Sequence, residues 1–71
     1  MIETLVDRVI TGKKLRELRG ERTQQEVADA VGVTAMAISQ YETGERSPSD
    51  TVKLRLANYF GQTVEAIFFT F

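Results

Sequence analysis

The chain has 71 residues, 42% hydrophobic and 27% charged, with a net charge of −1, which describes one small folded domain without room for a second core. It contains neither cysteine nor histidine, so disulfides, zinc fingers, Ser-His-Asp triads and histidine general bases are excluded. No run approaches the ~18 apolar residues of a membrane span and no signal peptide is evident, so a cytoplasmic protein without a membrane partner is expected.

The net charge hides an asymmetry. Arg8, Lys13, Lys14, Arg16, Arg19 and Arg22 outnumber Glu17 and Glu21, giving +4 between residues 8 and 22. Such a stretch either meets an anion or forms the solvated face of an amphipathic helix, and on charge alone the solvated face is favoured.

The first ten residues form an N-terminal extension with two readings. Leu5/Val9 and Val6/Ile10 are spaced four apart, as in a helix, while the β-branched content of residues 2–10 also suits a short strand. Thr11 is placed to cap a helix that carries Leu15 and Leu18 and stops at Gly20. Thr23-Gln24-Gln25-Glu26 reads as a reciprocal capping box, opening a helix with Val27 and Val31 on one face and ending at Gly32. After Val33 alone, Thr34 caps a third helix over residues 35–42, with Ala37, Ile38 and Tyr41 inward and Gly44 as its stop. Ser47-Pro48-Ser49-Asp50 is a turn that caps a fourth helix carrying Val52, Leu56, Ala57 and Phe60. Gly61 ends it, and Thr63 caps a short last helix through Val64, Ile67 and Phe68. The five glycines, at 12, 20, 32, 44 and 61, are read as helix punctuation.

The expected fold is therefore all-α, a small bundle of about five short helices in a single domain over residues 1–71. Two short helices joined by a tight glycine turn form a helix-turn-helix over residues 23–42.

Arg19, Thr23-Gln24-Gln25-Glu26-Val27-Ala28, Val31-Gly32-Val33-Thr34 and the run from Ile38 through Tyr41-Glu42-Thr43-Gly44-Glu45-Arg46-Ser47-Pro48 resemble the phage-repressor helix-turn-helix family (Cro/CI, or xenobiotic-response-element type). The likeness continues through Leu56-Ala57-Asn58-Tyr59-Phe60-Gly61 to Ile67-Phe68 and covers roughly residues 10 to 69. Three features depart from the family pattern: a short link between Arg19 and Thr23, Asp50 and Lys53 where apolar residues are usual, and the first ten residues. The resemblance implies a lambda-repressor-like domain and a sequence-specific, double-stranded-DNA-binding transcriptional regulator, acting as a repressor without catalysis, metal or cofactor.

In such a motif the second helix presents its N-terminal residues to base edges in the major groove. Here these are Thr34, Ala35, Met36, Ser39 and Gln40. Gln40 is suited to bond adenine through N6 and N7, and Met36 to touch a thymine methyl. By resemblance Gln24 holds a phosphate at the start of its helix. Thr43 and Arg46 are placed for the next phosphates, with Lys13, Lys14 and Lys53 as weaker candidates. Arg19 and Glu42 match a family pair that ties the first helix to the third, a structural ion pair. A homodimer is expected because one small motif contacts few base pairs. Phe68, Phe69 and Phe71, with Leu5 or Ile2, are the apolar residues assigned to its interface. The alternative is an antitoxin-like or other protein-interaction module with secondary DNA binding.

Overall fold

The computed structural model describes residues 4–69. Its five helices are α1 (Leu5–Arg19), α2 (Gln24–Val31), α3 (Ala35–Thr43), α4 (Asp50–Phe60) and α5 (Val64–Phe68), joined by turns of three to six residues. No helix among the described residues is long and apolar enough to cross a membrane.

Each helix begins at a side-chain hydroxyl that accepts the backbone N–H three residues on. The caps are Thr4, Thr23, Thr34, Ser49 and Thr63, with N···O distances of 3.0–3.3 Å. Each replaces one hydrogen bond that a helix start otherwise lacks. The first cap corrects the expectation for Thr11. α1 starts seven residues earlier, at Thr4, where Asp7 reaches back to the Thr4 N–H (3.1 Å) and completes a capping box. The strand reading of the first ten residues is thereby replaced by helix from Leu5 onward. Thr11 instead lies buried in the middle of α1. The reciprocal box expected at Thr23 is half realised: the Thr23 hydroxyl caps α2, and the completed box belongs to Thr4 and Asp7.

Gly12 is not punctuation either. It is buried inside α1, where a Cβ would collide with the carbonyl oxygens of Tyr41 (2.6 Å) and Glu42. Backbone thus meets backbone where α1 crosses the end of α3. Gly32 and Gly44 do end helices, at φ +76° and +85°, left-handed values that suit glycine.

α1 packs on α3 and α5, α2 on α3 and α4, and α4 on α5. The shared core contains Leu15, Val27, Ala28, Val31, Ile38, Tyr41, Leu56, Ile67 and Phe68. Phe68 is only 2% exposed, which corrects its assignment to a dimer surface. α5 is the lid of the core, and both Ile67 and Phe68 are spent closing it. Phe69 is 48% exposed; Phe71 and Ile2 lie outside the described residues.

A candidate nucleic-acid interface

α2, the turn Gly32-Val33-Thr34 and α3 build a protruding corner. The Gly32 and Val33 amides both donate to the Ala28 carbonyl, at 2.9 and 3.0 Å, which closes α2 and swings the chain into α3 within three residues. Val33 packs against the core and fixes the angle between the two helices.

α3 then has two faces. Ala37, Ile38 and Tyr41 are buried, while Thr34 and Met36 are exposed and Ala35, Ser39 and Gln40 are half-buried. Met36, at 71% exposure, leaves its thioether and methyl group in solvent. An apolar side chain so exposed lacks a packing role within the domain. The Thr34 hydroxyl accepts from the Ala37 N–H at 3.1 Å, so its own proton remains for an outside acceptor.

Behind this face Glu42 joins three elements. Arg19 of α1 grips it through both carboxylate oxygens, Nε to Oε2 at 2.6 Å and Nη2 to Oε1 at 3.0 Å. Gln24 of α2 donates from Nε2 to Oε1 at 3.1 Å. The remaining guanidinium nitrogen, Nη1, donates to the Arg22 carbonyl at 2.9 Å. The pair is largely buried, with 17% and 6% of the two side chains exposed. Hydrogen bonding to Glu42 raises the Arg19 pKa above its ordinary value, burial works against this, and the charge of Glu42 adds to it. The ion pair thus holds Gln24 against α3 at the first turn of α2. The link from Gln24 to Glu42 has no sequence signal, since 18 residues separate them and neither spacing nor charge pairs an amide with an acid.

Just beyond Glu42 the loop that follows α3 folds back on the helix. Thr43 Oγ1 is within hydrogen-bond reach of the Gln40 carbonyl (3.2 Å) and of Glu45 Oε1 (3.3 Å). The Arg46 N–H donates to the same Gln40 carbonyl at 3.3 Å. Its Nη1 donates to Gln40 Oε1 at 3.5 Å, and its guanidinium lies 5.9 Å from the Tyr41 ring centroid. Glu45 places an acid beside Thr43, a feature the motif reading passes over.

The structure therefore gathers Gln24, Arg19, Glu42, Gln40, Thr43 and Arg46 around α3. It does not gather all the lysines there. Lys14 donates to the Ala66 carbonyl of α5 at 3.4 Å, and the Lys53 ammonium lies over the Phe68 and Phe69 rings at 5.5 and 5.3 Å. Lys13 is exposed on α1.

Comparison with known proteins gives a consistent setting. A family model described as helix-turn-helix matches residues 13–67. The P22 c2 repressor, solved in complex with the synthetic operator 9T, is 26% identical with a TM-score of 0.82, covering 84% of this chain and 94% of that one. The restriction-modification controller protein C.AhdI from Aeromonas hydrophila is 29% identical with a TM-score of 0.81, covering 89% and 98%. No curated protein matches the chain by sequence.

Proposed function

Because this chain belongs to the helix-turn-helix family represented by that model, we propose that it is a DNA-binding transcriptional regulator that represses by occupying its operator as a homodimer. The observation that carries the reading is the two-faced α3. Its inner face is sealed in the core, and its outer face offers Thr34, Met36, Ser39 and Gln40 with no intramolecular packing role for Met36. A helix so displayed fits the major groove, where side chains meet base edges. Ala35, at the first position of α3, has a methyl group small enough for close approach to a base.

Phosphate contacts then gather around the C-terminal end of the reading helix. Gln24 is oriented by Glu42 and keeps a second N–H for a phosphate oxygen. Thr43 and Arg46 lie at the same end, in the last residue of α3 and the loop after it, while Lys13 adds diffuse positive charge. Lys14 and Lys53 are weaker candidates, because their ammonium groups already meet α5. The likeness to the P22 c2 repressor, solved on an operator, supports this assignment of faces. For the dimer, Phe69 and the neighbouring Leu54, 48% and 56% exposed, are available apolar contacts, as is Leu5 on α1.

The test is selection from random duplexes followed by anisotropy titration. We expect one enriched, two-fold symmetric site, and uniform weakening by Gln24→Ala across sequences. Enrichment of no sequence would overturn the reading. The second reading, a protein-interaction module, draws on Leu5, Val6, Leu54 and Phe69, all large apolar side chains left in solvent. It requires binding to duplex DNA that is feeble even at low salt.

A further inference from the structure

Gln40 is the one amide side chain on the outer face of α3, and its environment is not neutral. Its carbonyl oxygen Oε1 is engaged by Arg46 Nη1 at 3.5 Å. Arg46 is itself held in place twice more, through its backbone N–H on the Gln40 carbonyl at 3.3 Å and by its guanidinium against the Tyr41 ring. A free glutamine amide turns either end toward a base. This one is biased: the cation draws Oε1 toward the loop, and Nε2, which has no hydrogen-bond partner among the described residues, is the end left to the groove.

We propose that Arg46 is a specificity-determining residue that acts through Gln40, turning it from an adenine reader into a donor that selects guanine. Adenine offers N7 as acceptor and N6–H₂ as donor, so it needs both ends of the amide; guanine offers two acceptors, N7 and O6, and is satisfied by the N–H₂ end alone. This replaces the adenine preference expected of Gln40 from its residue type. The inference rests on the proposed reading of α3 as the base-reading helix. It adds that the base chosen is set by a residue six positions further along, in a loop otherwise suited to holding phosphate.

The experiment is the same duplex selection, run with the wild type, Gln40→Ala, Arg46→Met and Thr43→Ala. Gln40→Ala locates the base pair that Gln40 reads, as the one whose preference disappears. Arg46→Met keeps an unbranched stem over Tyr41 and removes the donor; Arg46 is exposed, and a melting curve confirms that the variant is folded. We expect the wild type to enrich guanine at the Gln40 pair and Arg46→Met to enrich adenine there, other pairs keeping their order. Overall affinity should fall by no more than about tenfold, as for one lost phosphate contact. Thr43→Ala should weaken binding without changing that base. Adenine enrichment by the wild type, or an unchanged base in Arg46→Met, overturns this proposal while leaving the DNA-binding reading intact. A wild type that enriches no sequence overturns that reading, and this proposal with it.

Discussion

Glu42 accepts hydrogen bonds from Arg19 and Gln24 while only 6% of its side chain is exposed, so its removal has two separate effects. Glu42→Ala leaves the Arg19 guanidinium largely buried without its counter-charge, and should cost about 3 kcal/mol in denaturant unfolding. It also frees Gln24, so DNA affinity should fall even at temperatures where the variant is folded. Replacing both partners, Arg19→Met with Glu42→Leu, should cost less than Glu42→Ala alone, because no stranded charge remains. A double variant less stable than that single one would show that the pair itself, and not the penalty for stranding a charge, dominates. The raised Arg19 pKa has a defined sign. A base stabilised in the folded state contributes fully below its unfolded pKa and loses that contribution only as pH climbs through the raised value. Stability from this group is therefore flat at neutral pH and fades only in strong alkali, so Arg19 should add no slope to a melting series from pH 6 to 11.

Among the helices, the crossing of α1 over the end of α3 is the tightest contact. In an isolated helix Gly→Ala gains about 1 kcal/mol. At Gly12 the added methyl meets the carbonyl oxygens of Tyr41 and Glu42, and backbone cannot swing aside as a flexible side chain would. Gly12→Ala should therefore destabilise by about 2 kcal/mol net, a fall of roughly 10 °C in Tm for a domain of this size. An unchanged Tm would mean that the crossing is looser than described. This contact also explains why α1 was the least legible element. Its inward face is built from Thr11 and Gly12 before Leu15, small residues that leave no apolar stripe, while its apolar Leu5 and Val6 point to solvent at 62% and 66% exposure. Helices α2 to α5 were legible because each carries a hydroxyl cap and α2, α3 and α4 end in glycine, signals contained within a few residues. Phe68 was misassigned for the opposite reason. Which aromatic at the end of a chain closes the core depends on the phase of α5 against α4, and five residues are too few for periodicity to reveal it. The contacts of Gln24 with Glu42 and of Arg46 with Gln40 depend on how elements meet, so the sequence identified their members without their partnerships.

For the molecule as a whole, charge sets the salt response. With Gln24, Thr43 and Arg46 as the principal phosphate contacts, each protomer neutralises few phosphates, about 3–4 with diffuse lysine charge included. A dimer should therefore lose affinity with salt along a log–log slope of about −6, shallower than for strongly basic binders. A slope near zero would count against phosphate contact, and sedimentation showing monomer alone on operator DNA would count against the dimer. The hydroxyl caps described above bear on a different property, the time the chain needs to fold. Each described helix carries its own start signal within three residues, and the turns between helices are three to six residues long. Most of the ordering is consequently local, leaving few distant segments to find one another by diffusion. Chains of this kind fold in microseconds to milliseconds, so temperature-jump relaxation is the suitable method. The slowest step should be the docking of α1 onto α3, whose meeting points at Gly12 and Glu42 are 30 residues apart in the chain.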